Sequence, residues 1–416
     1  MRMAPSKAQV AIVGGGVAGL VTATLLHGHG MDVRLFERTP VLGAVGAGIQ
    51  LSPNGVRVLH RLGLADALAR TGVRAGAIET RRWDDGSPIA RVPHGTLCDE
   101  RFGAPYYLIH RADLQRCLVS ALPEGIVELG KGCTRLVERP DTVELHLTDG
   151  SVTTADLVIG ADGVHSVVRT AVVDDAPRFS GYSVHRGLVP AEVVPSFTRD
   201  PRVVFWLGPE RHVTYYPIAG GDTVHFSAVG VSPDTRSGST SAPGAVEDLD
   251  AAFAGWHEEV RRVVTAAASV TRWDLFDRDM ADRYATDRVV LLGDAAHPTL
   301  PYLSQGANQA LEDAVVLARC LEDARPGDLT GAVRRYEELR LPRTAEVHRR
   351  ARALGRTFHL PDGPHQERRD RDMRARQDLE HLDWLYGHDA AAATTAPGPE
   401  RAAGREPAAV RLTPRP

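Results

Sequence analysis

Lysine is almost missing from this chain. Of its 49 basic residues only Lys7 and Lys131 are lysines, the rest are arginines, and 53 acidic residues leave a formal charge of −4. No basic stripe exists to neutralise phosphates, so charge gives no footing for nucleic acid or an anionic membrane. Cysteine is scarce as well: Cys98, Cys117, Cys133 and Cys320 show no C-x-x-C pairing and no histidine at metal spacing. A disulfide framework and a zinc site are therefore excluded, no metal is expected, and the thiols read as reduced in a cytoplasmic protein. Long apolar runs are absent too, since nothing approaches the roughly 20 residues that cross a bilayer. The one candidate leader, residues 10–26, has the triplet Gly14-Gly15-Gly16 at its centre and no convincing cleavage site, so it is not a signal peptide. A soluble protein without membrane partners is expected. At 416 residues the chain exceeds what one compact core usually fills, which predicts two closely packed domains.

The most informative segment opens at Val10. The β-branched run Val10-Ala11-Ile12-Val13 enters Gly14-x-Gly16-x-x-Gly19 and then a helix, and Glu37 closes a second apolar run, Val33-Arg34-Leu35-Phe36. This is the βαβ dinucleotide fingerprint in its proper context. Gly14 permits the tight turn, Gly16 lets the backbone approach a pyrophosphate on the helix N-terminus, and Gly19 lets helix and strand pack closely. Glu37 is placed to accept hydrogen bonds from a ribose. No second Gly-x-Gly-x-x-Gly exists for a resident nicotinamide cofactor, which argues against a disulfide reductase with two such folds.

Further along, a glycine-rich loop (43–54) leads into a helix near 55–62, and a hairpin over 77–92 turns at Asp84-Asp85-Gly86. Helix 111–122 is followed by short strands ending at the buried run 157–160 and the turn Asp162-Gly163. An aromatic-rich, strand-like region spans 182–231, a helical segment 246–268, and then a buried strand (289–292) returns before Gly293-Asp294 and a helix over 306–321. Such interleaving predicts an α/β fold: a Rossmann-like dinucleotide domain from 1–75, 106–175 and 286–355, with a mixed β-sheet domain inserted as 76–105 and 176–285. C-terminal helices over 356–389 and a disordered tail over 390–416 complete it.

Residues 202–207 and 211–217 read as two strands joined by Gly208-Pro209-Glu210. With a three-residue connection, Trp206 faces His212, and alternation puts Trp206, His212, Thr214 and Tyr216 on one face and Phe205, Val213 and Tyr215 on the other. One face is packing; the other carries an aromatic, an imidazole and a phenol. A satisfied structural histidine is the competing reading of His212.

Three separated motifs, Gly14-x-Gly16-x-x-Gly19, Asp162-Gly163 and Gly293-Asp294 followed by Pro298, together resemble the single-component FAD-dependent aromatic hydroxylases. The loop 46–54 and Asp383-Trp384-Leu385-Tyr386-Gly387 are similar to the branch that holds salicylate hydroxylase, 3-hydroxybenzoate 6-hydroxylase and 6-hydroxynicotinate 3-monooxygenase. The resemblance makes the two domains FAD-binding and substrate-binding. It implies that Asp294 contacts the ribityl hydroxyls, that Arg111 lies against the phosphates, and that Asp162 serves FAD and pyridine-nucleotide binding. Gly306, Ala307 and Asn308 would bring backbone to the flavin ring, and Arg38, Gly48 and Ile49 belong to the same cofactor set. His212-x-x-x-Tyr216 matches a pocket pair that orients or deprotonates a phenol, a task suited to an imidazole. Trp206, Thr214, Pro301 and Tyr302 are the expected substrate contacts.

The implied enzyme is an FAD monooxygenase, monomeric or homodimeric. It uses NADH or NADPH and O₂ to hydroxylate a small phenolic or hydroxylated heteroaromatic acid through a C4a-hydroperoxyflavin, with or without loss of the carboxylate. The alternatives are a tailoring hydroxylase or epoxidase of a polyketide-like metabolite, and a flavin-binding protein without turnover. The Trp-x-Trp-x-Ile-Pro element of flavin halogenases is absent.

Overall fold

The computed structural model describes residues 8–43, 47–232, 241–322, 324 and 328–395. Gln9–Val13 forms the centre of a five-stranded parallel sheet, flanked by Asp32–Glu37 and Leu157–Gly160, with Val127–Leu129 and Val289–Leu291 at its edges. Val10, Ile12, Leu35 and Ile159 are almost wholly buried, as expected of strands covered on both faces. The fingerprint helix Val17–Gly28 packs on this sheet. Its entry turn demands glycine twice. Gly14 sits at φ +112°, and a Cβ on Gly19 would stand 1.9 Å from the Gly14 carbonyl oxygen.

The second large element is an eight-stranded sheet in the order 241–244, 270–277, 178–190, 223–231, 211–218, 202–208, 77–82 and 88–93. One of its faces buries Trp206, Val213, Tyr215 and Phe226 against two helices, Val246–Ala252 and Glu258–Thr265. Sequence periodicity read those helices as one segment. Gly255, at φ +82°, breaks it, and the chain reverses through Phe253 and Trp256, which both turn into the core.

Helix Gly306–Leu321 and the 30-residue helix Leu329–Phe358 join the two sheets. Between them lies a fully buried ionic lattice. Arg340 donates to Asp313 (2.6 Å), Glu312 (2.7 Å) and the Gln309 side chain (2.8 Å), and Arg343 donates to Glu312 (2.9 Å). Asp313 also receives the Gly293 N–H (2.8 Å) and contacts His297 (2.6 Å). Burial alone would raise both carboxyls. Arg340 and Arg343 at Glu312, and His297 and Arg340 at Asp313, overcome that and hold them below the carboxylate range.

The C-terminal segment is less loose than composition implied. Asp389 pairs with Arg61 and caps a helical turn, Ala390–Ala393, whose Ala390 is buried against helix Gly306–Leu321. The disordered tail expected from 390 is thus corrected over residues 390–395, which form helix and turn; residues 396–416 lie outside the described residues. Among the described residues, no helix is long and apolar enough to cross a membrane, and no group of His, Cys, Asp and Glu could hold a metal ion.

Arg340→Met should leave Glu312 and Asp313 buried with too little positive charge. A loss of about 3–5 kcal/mol in urea unfolding is expected, and a loss below about 1 kcal/mol would show that the lattice is not what fixes these helices.

Candidate active site

Two cavities meet at the N-terminus of the fingerprint helix. The first, of about 350 Å³, is lined by Gly14, Gly16, Glu37, Arg38 and Asp162; the second, of about 380 Å³, by Gly48, Ile49, Asp294, Gly306, Ala307 and the central strands of the large sheet. They share Gly16, Arg111, Ala161 and Gly163, so they form one trough. At its outer end the Glu37 carboxylate accepts the N–H groups of Gly15 (2.6 Å) and Thr39 (2.8 Å). At the middle, a Cβ on Gly16 would meet nothing within 4 Å, which leaves the helix N-terminus open to an anion beside the Arg111 side chain. Further in, the Asp294 carboxylate opens onto the cavity. The protein around it pushes its pKa up, with His297 and Arg111 pulling the other way. These residues fit FAD: acceptors for the ribose and ribityl hydroxyls at two depths, and cationic character between them where a diphosphate would lie.

The inner wall of the trough is the large sheet, and here the expected register is corrected by one residue. Gly208 pairs with Arg211, so only Pro209 and Glu210 form the turn, with Glu210 at φ +59°. His212 therefore faces Leu207, and Thr214 faces Phe205. A one-residue slip moves every side chain to the opposite face. Trp206 consequently leaves the site: it is buried among the helices, donating to the Tyr215 hydroxyl (3.0 Å) and stacked on His257. Phe205 takes its place on the cavity wall, beside His212, Thr214 and Tyr216. Pro301 and Tyr302 line the same cavity.

Two side chains of the expected cofactor set are engaged within the protein itself. Asp162 borders the trough, yet its carboxylate turns back to accept from Ser166 Oγ (2.5 Å), Val167 N–H (2.8 Å) and Val168 N–H (3.2 Å), so it shapes the turn. Asn308 does not line the cavity. It is fully buried, accepting the Ser52 N–H and donating to the Gln50 and Ser304 carbonyls, and so ties the loop at Gln50 to the helix that presents Gly306 and Ala307.

Sequence reasoning missed several residues of the site. His359, beyond the end of the long helix, places Nε2 2.8 Å from His212 Nδ1, one ring nitrogen donating to the other, and its ring stacks on Tyr182. Burial, with His359 adding to it, drives the His212 pKa well below its ordinary value, and burial takes His359 to about 4. Both imidazoles are neutral at pH 7. Arg186 also faces the cavity, opposite Ser227, which is in turn opposite Thr214. Among the described residues no carboxylate pairs with it; burial lowers its pKa, Tyr216 opposing. His225 and Thr214 each keep a buried polar atom, Nδ1 and Oγ1, without a hydrogen-bond partner. Gly48 permits this crowding, because a Cβ there would stand 2.6 Å from the Tyr216 ring. Strand parity would have found Arg186. Nothing in the sequence links His359 to a residue 147 positions earlier.

The sequence family described as FAD binding domain matches residues 7–351. The chain is 71% identical over 382 residues to 3-amino-4-hydroxybenzoate 2-monooxygenase of Streptomyces cremeus, covering 92% of this chain and 95% of that one. It is 36% identical over 346 residues to 6-hydroxynicotinate 3-monooxygenase of Bordetella bronchiseptica, covering 82% and 90%. A salicylate hydroxylase substrate complex superimposes with a TM-score of 0.79 at 28% identity, covering 94% of this chain and 97% of that chain.

Gly16→Val should fold normally, because the new side chain enters open space, and yet purify colourless, as expected where the fingerprint turn reserves that space for a pyrophosphate. Full flavin content in that variant would remove the trough from consideration. A second expectation concerns acid. His94 and His359 have pKa values near 4 and His225 near 3 in the folded chain, against about 6.5 when unfolded. Between those values the unfolded chain binds more protons, so stability is complete above about pH 6.5 and is lost as pH falls. At pH 5 the loss should be about 2 kcal/mol per imidazole. Thermal melts of the flavin-free protein should show a lower Tm at pH 5.5 than at pH 7.5; an equal or higher Tm would contradict the neutral, buried histidines.

Proposed function

Because the chain belongs to the FAD binding domain family and, within it, to the FAD-dependent aromatic hydroxylases, we propose that its substrate is 3-amino-4-hydroxybenzoate or a close analogue, oxygenated at ring carbon 2. The enzyme is an FAD monooxygenase of a small hydroxylated aromatic acid; the particular acid and position are the proposal. One atom of O₂ enters the ring and the other leaves as water, with two electrons drawn from NADH or NADPH. FAD, when bound in the trough, supplies the activation of O₂.

The observation that carries the reading is Arg186. It is a cation on the inner cavity wall with no carboxylate paired to it among the described residues, and its neighbours His212, His225 and Tyr216 are neutral; with Arg111, the other cation of the cavity, beside the place of the diphosphate, Arg186 is the charge left to meet a substrate carboxylate. Carbon 2 lies between the carbons that bear the carboxyl and amino groups. The 4-hydroxyl is meta to it and contributes little electron density there, whereas the 3-amino group is ortho and donates directly. What the ring needs from the protein is a neutral acceptor that takes an N–H hydrogen bond and then the proton as the nitrogen becomes cationic. His212 is such an acceptor. His359 fixes which of its nitrogens carries a hydrogen, and the pair passes a proton along the 2.8 Å contact between them. Attack at carbon 2 does not displace the carboxyl group, so the product keeps it.

With the purified holoenzyme, 3-amino-4-hydroxybenzoate should stimulate NAD(P)H oxidation and give a product heavier by one oxygen with its carboxylate retained. 4-Hydroxybenzoate, lacking the amino donor, should stimulate oxidation and yield mainly hydrogen peroxide. His212→Ala should keep FAD and its reduction while hydroxylation falls about 10²-fold and peroxide rises; His359→Phe, which keeps a ring in the stack, should do the same more mildly. Wild-type product from His212→Ala would return that residue to a structural role, and absence of any oxygenated product from the wild type would remove the substrate.

A further inference from the structure

A third cavity, of about 570 Å³, adjoins the reaction cavity. The two share Gln50, Phe205, Tyr302 and Ser304, so the partition between them is built largely of side chains. Its walls are mostly apolar, with Ile78, Val92, Leu354, Met373 and Leu382 from five different elements. Its lining includes Arg368 and Arg376, both exposed and without an ionic partner among the described residues, and a single acid, Asp372. No residue of this cavity beyond the shared wall has a part in the chemistry described above.

The need for such a space follows from the trough. His212, Thr214 and Tyr216 sit at its inner end and are no more than 5% exposed. A dinucleotide lying from Glu37 past Gly16 to Gly306 occupies the way in, so an aromatic acid arriving after the cofactor requires another entrance. Resting on the reading that the substrate is an anionic aromatic acid, we propose that the third cavity is its entry vestibule. Arg368 and Arg376 gather the carboxylate, the apolar walls accept the ring, and the acid passes the Tyr302–Phe205 partition to reach Arg186. The charge complements the occupant: a cationic mouth concentrates anions, and an apolar interior removes water from the ring before it reaches the site.

A passage differs from a binding site in its kinetics. A residue that acts only along the way changes entry and exit together and leaves Kd unaltered. Binding of 3-amino-4-hydroxybenzoate to the oxidised holoenzyme, followed by flavin absorbance in stopped flow, reads both rates. In the double variant Arg368→Glu/Arg376→Glu, kon and koff should each fall about tenfold at low ionic strength, with Kd within about twofold. The difference should shrink at about 0.5 M salt, and the neutral carboxamide of the substrate should show none of it. Val92→Trp, which fills the cavity without altering charge, should slow acid and amide alike. Unchanged rates in both variants, or a weakened Kd with faster release, would overturn the vestibule while leaving the substrate in place. Failure of the wild type to bind the acid at all would instead overturn the substrate reading on which the vestibule rests.

Discussion

The guanidinium of Arg340 is the point on which the catalytic architecture hangs. Bringing two carboxylates and a guanidinium out of water costs several kcal/mol per ion, and only near-ideal pairing offsets it. Here the pairing is nearly complete, with Glu312, Asp313 and Gln309 all engaged. Asp313 in turn holds the Gly293 N–H and His297, and so fixes the turn that carries Asp294. Glu312 receives Asn54, which contacts Gln305 at the start of the helix presenting Gly306 and Ala307. One buried cation thereby sets the positions of Asp294 and of the backbone at Gly306 and Ala307 along the cavity.

Burial has opposite consequences at the scaffold and at the site. In the lattice every ion is matched, and the result is rigidity. On the cavity wall burial strips charge from His212 and His225, and likewise from His359, which contacts His212, while Arg186 keeps its charge with no carboxylate paired to it among the described residues. Unpaired buried groups are costly unless a ligand completes them. The orphaned Thr214 Oγ1 and His225 Nδ1 belong to the same pattern. A pocket left in this state favours a ligand that brings one carboxylate and hydrogen-bonding substituents on a flat ring.

Much of this was legible in the sequence because local rules dictated it. The turn at Gly14 leaves no room for any other residue, and the helix Gly306–Leu321 appears where periodicity and its glycine start placed it. Reading failed where the outcome depended on a single residue of register or on distance along the chain. Three residues between strands would have put Trp206 in the site; two put Phe205 there, because Gly208 extends the strand and leaves Pro209 and Glu210 to make the turn. Composition saw a stretch rich in alanine, proline, glycine and threonine without periodicity after Asp389, whereas the cap at Asp389 and its bond to Arg61 fold one more turn onto the core. The His212–His359 contact is of the third kind: only the assembled tertiary structure creates it.

The parallel sheet has a temporal side. Its central strand, Gln9–Val13, leaves the ribosome well before one neighbour, Leu157–Gly160, and before the far edge, Val289–Leu291. At about 5–20 residues per second the nascent strand waits some 15–60 s for that edge, and longer for Arg340. Throughout this interval Val10, Ile12 and Leu35 are exposed apolar segments with an open edge, the condition that invites mispairing. Whatever covers the segment Gln9–Glu37 during that interval protects the sheet from mispairing, and a slower ribosome lengthens the exposure.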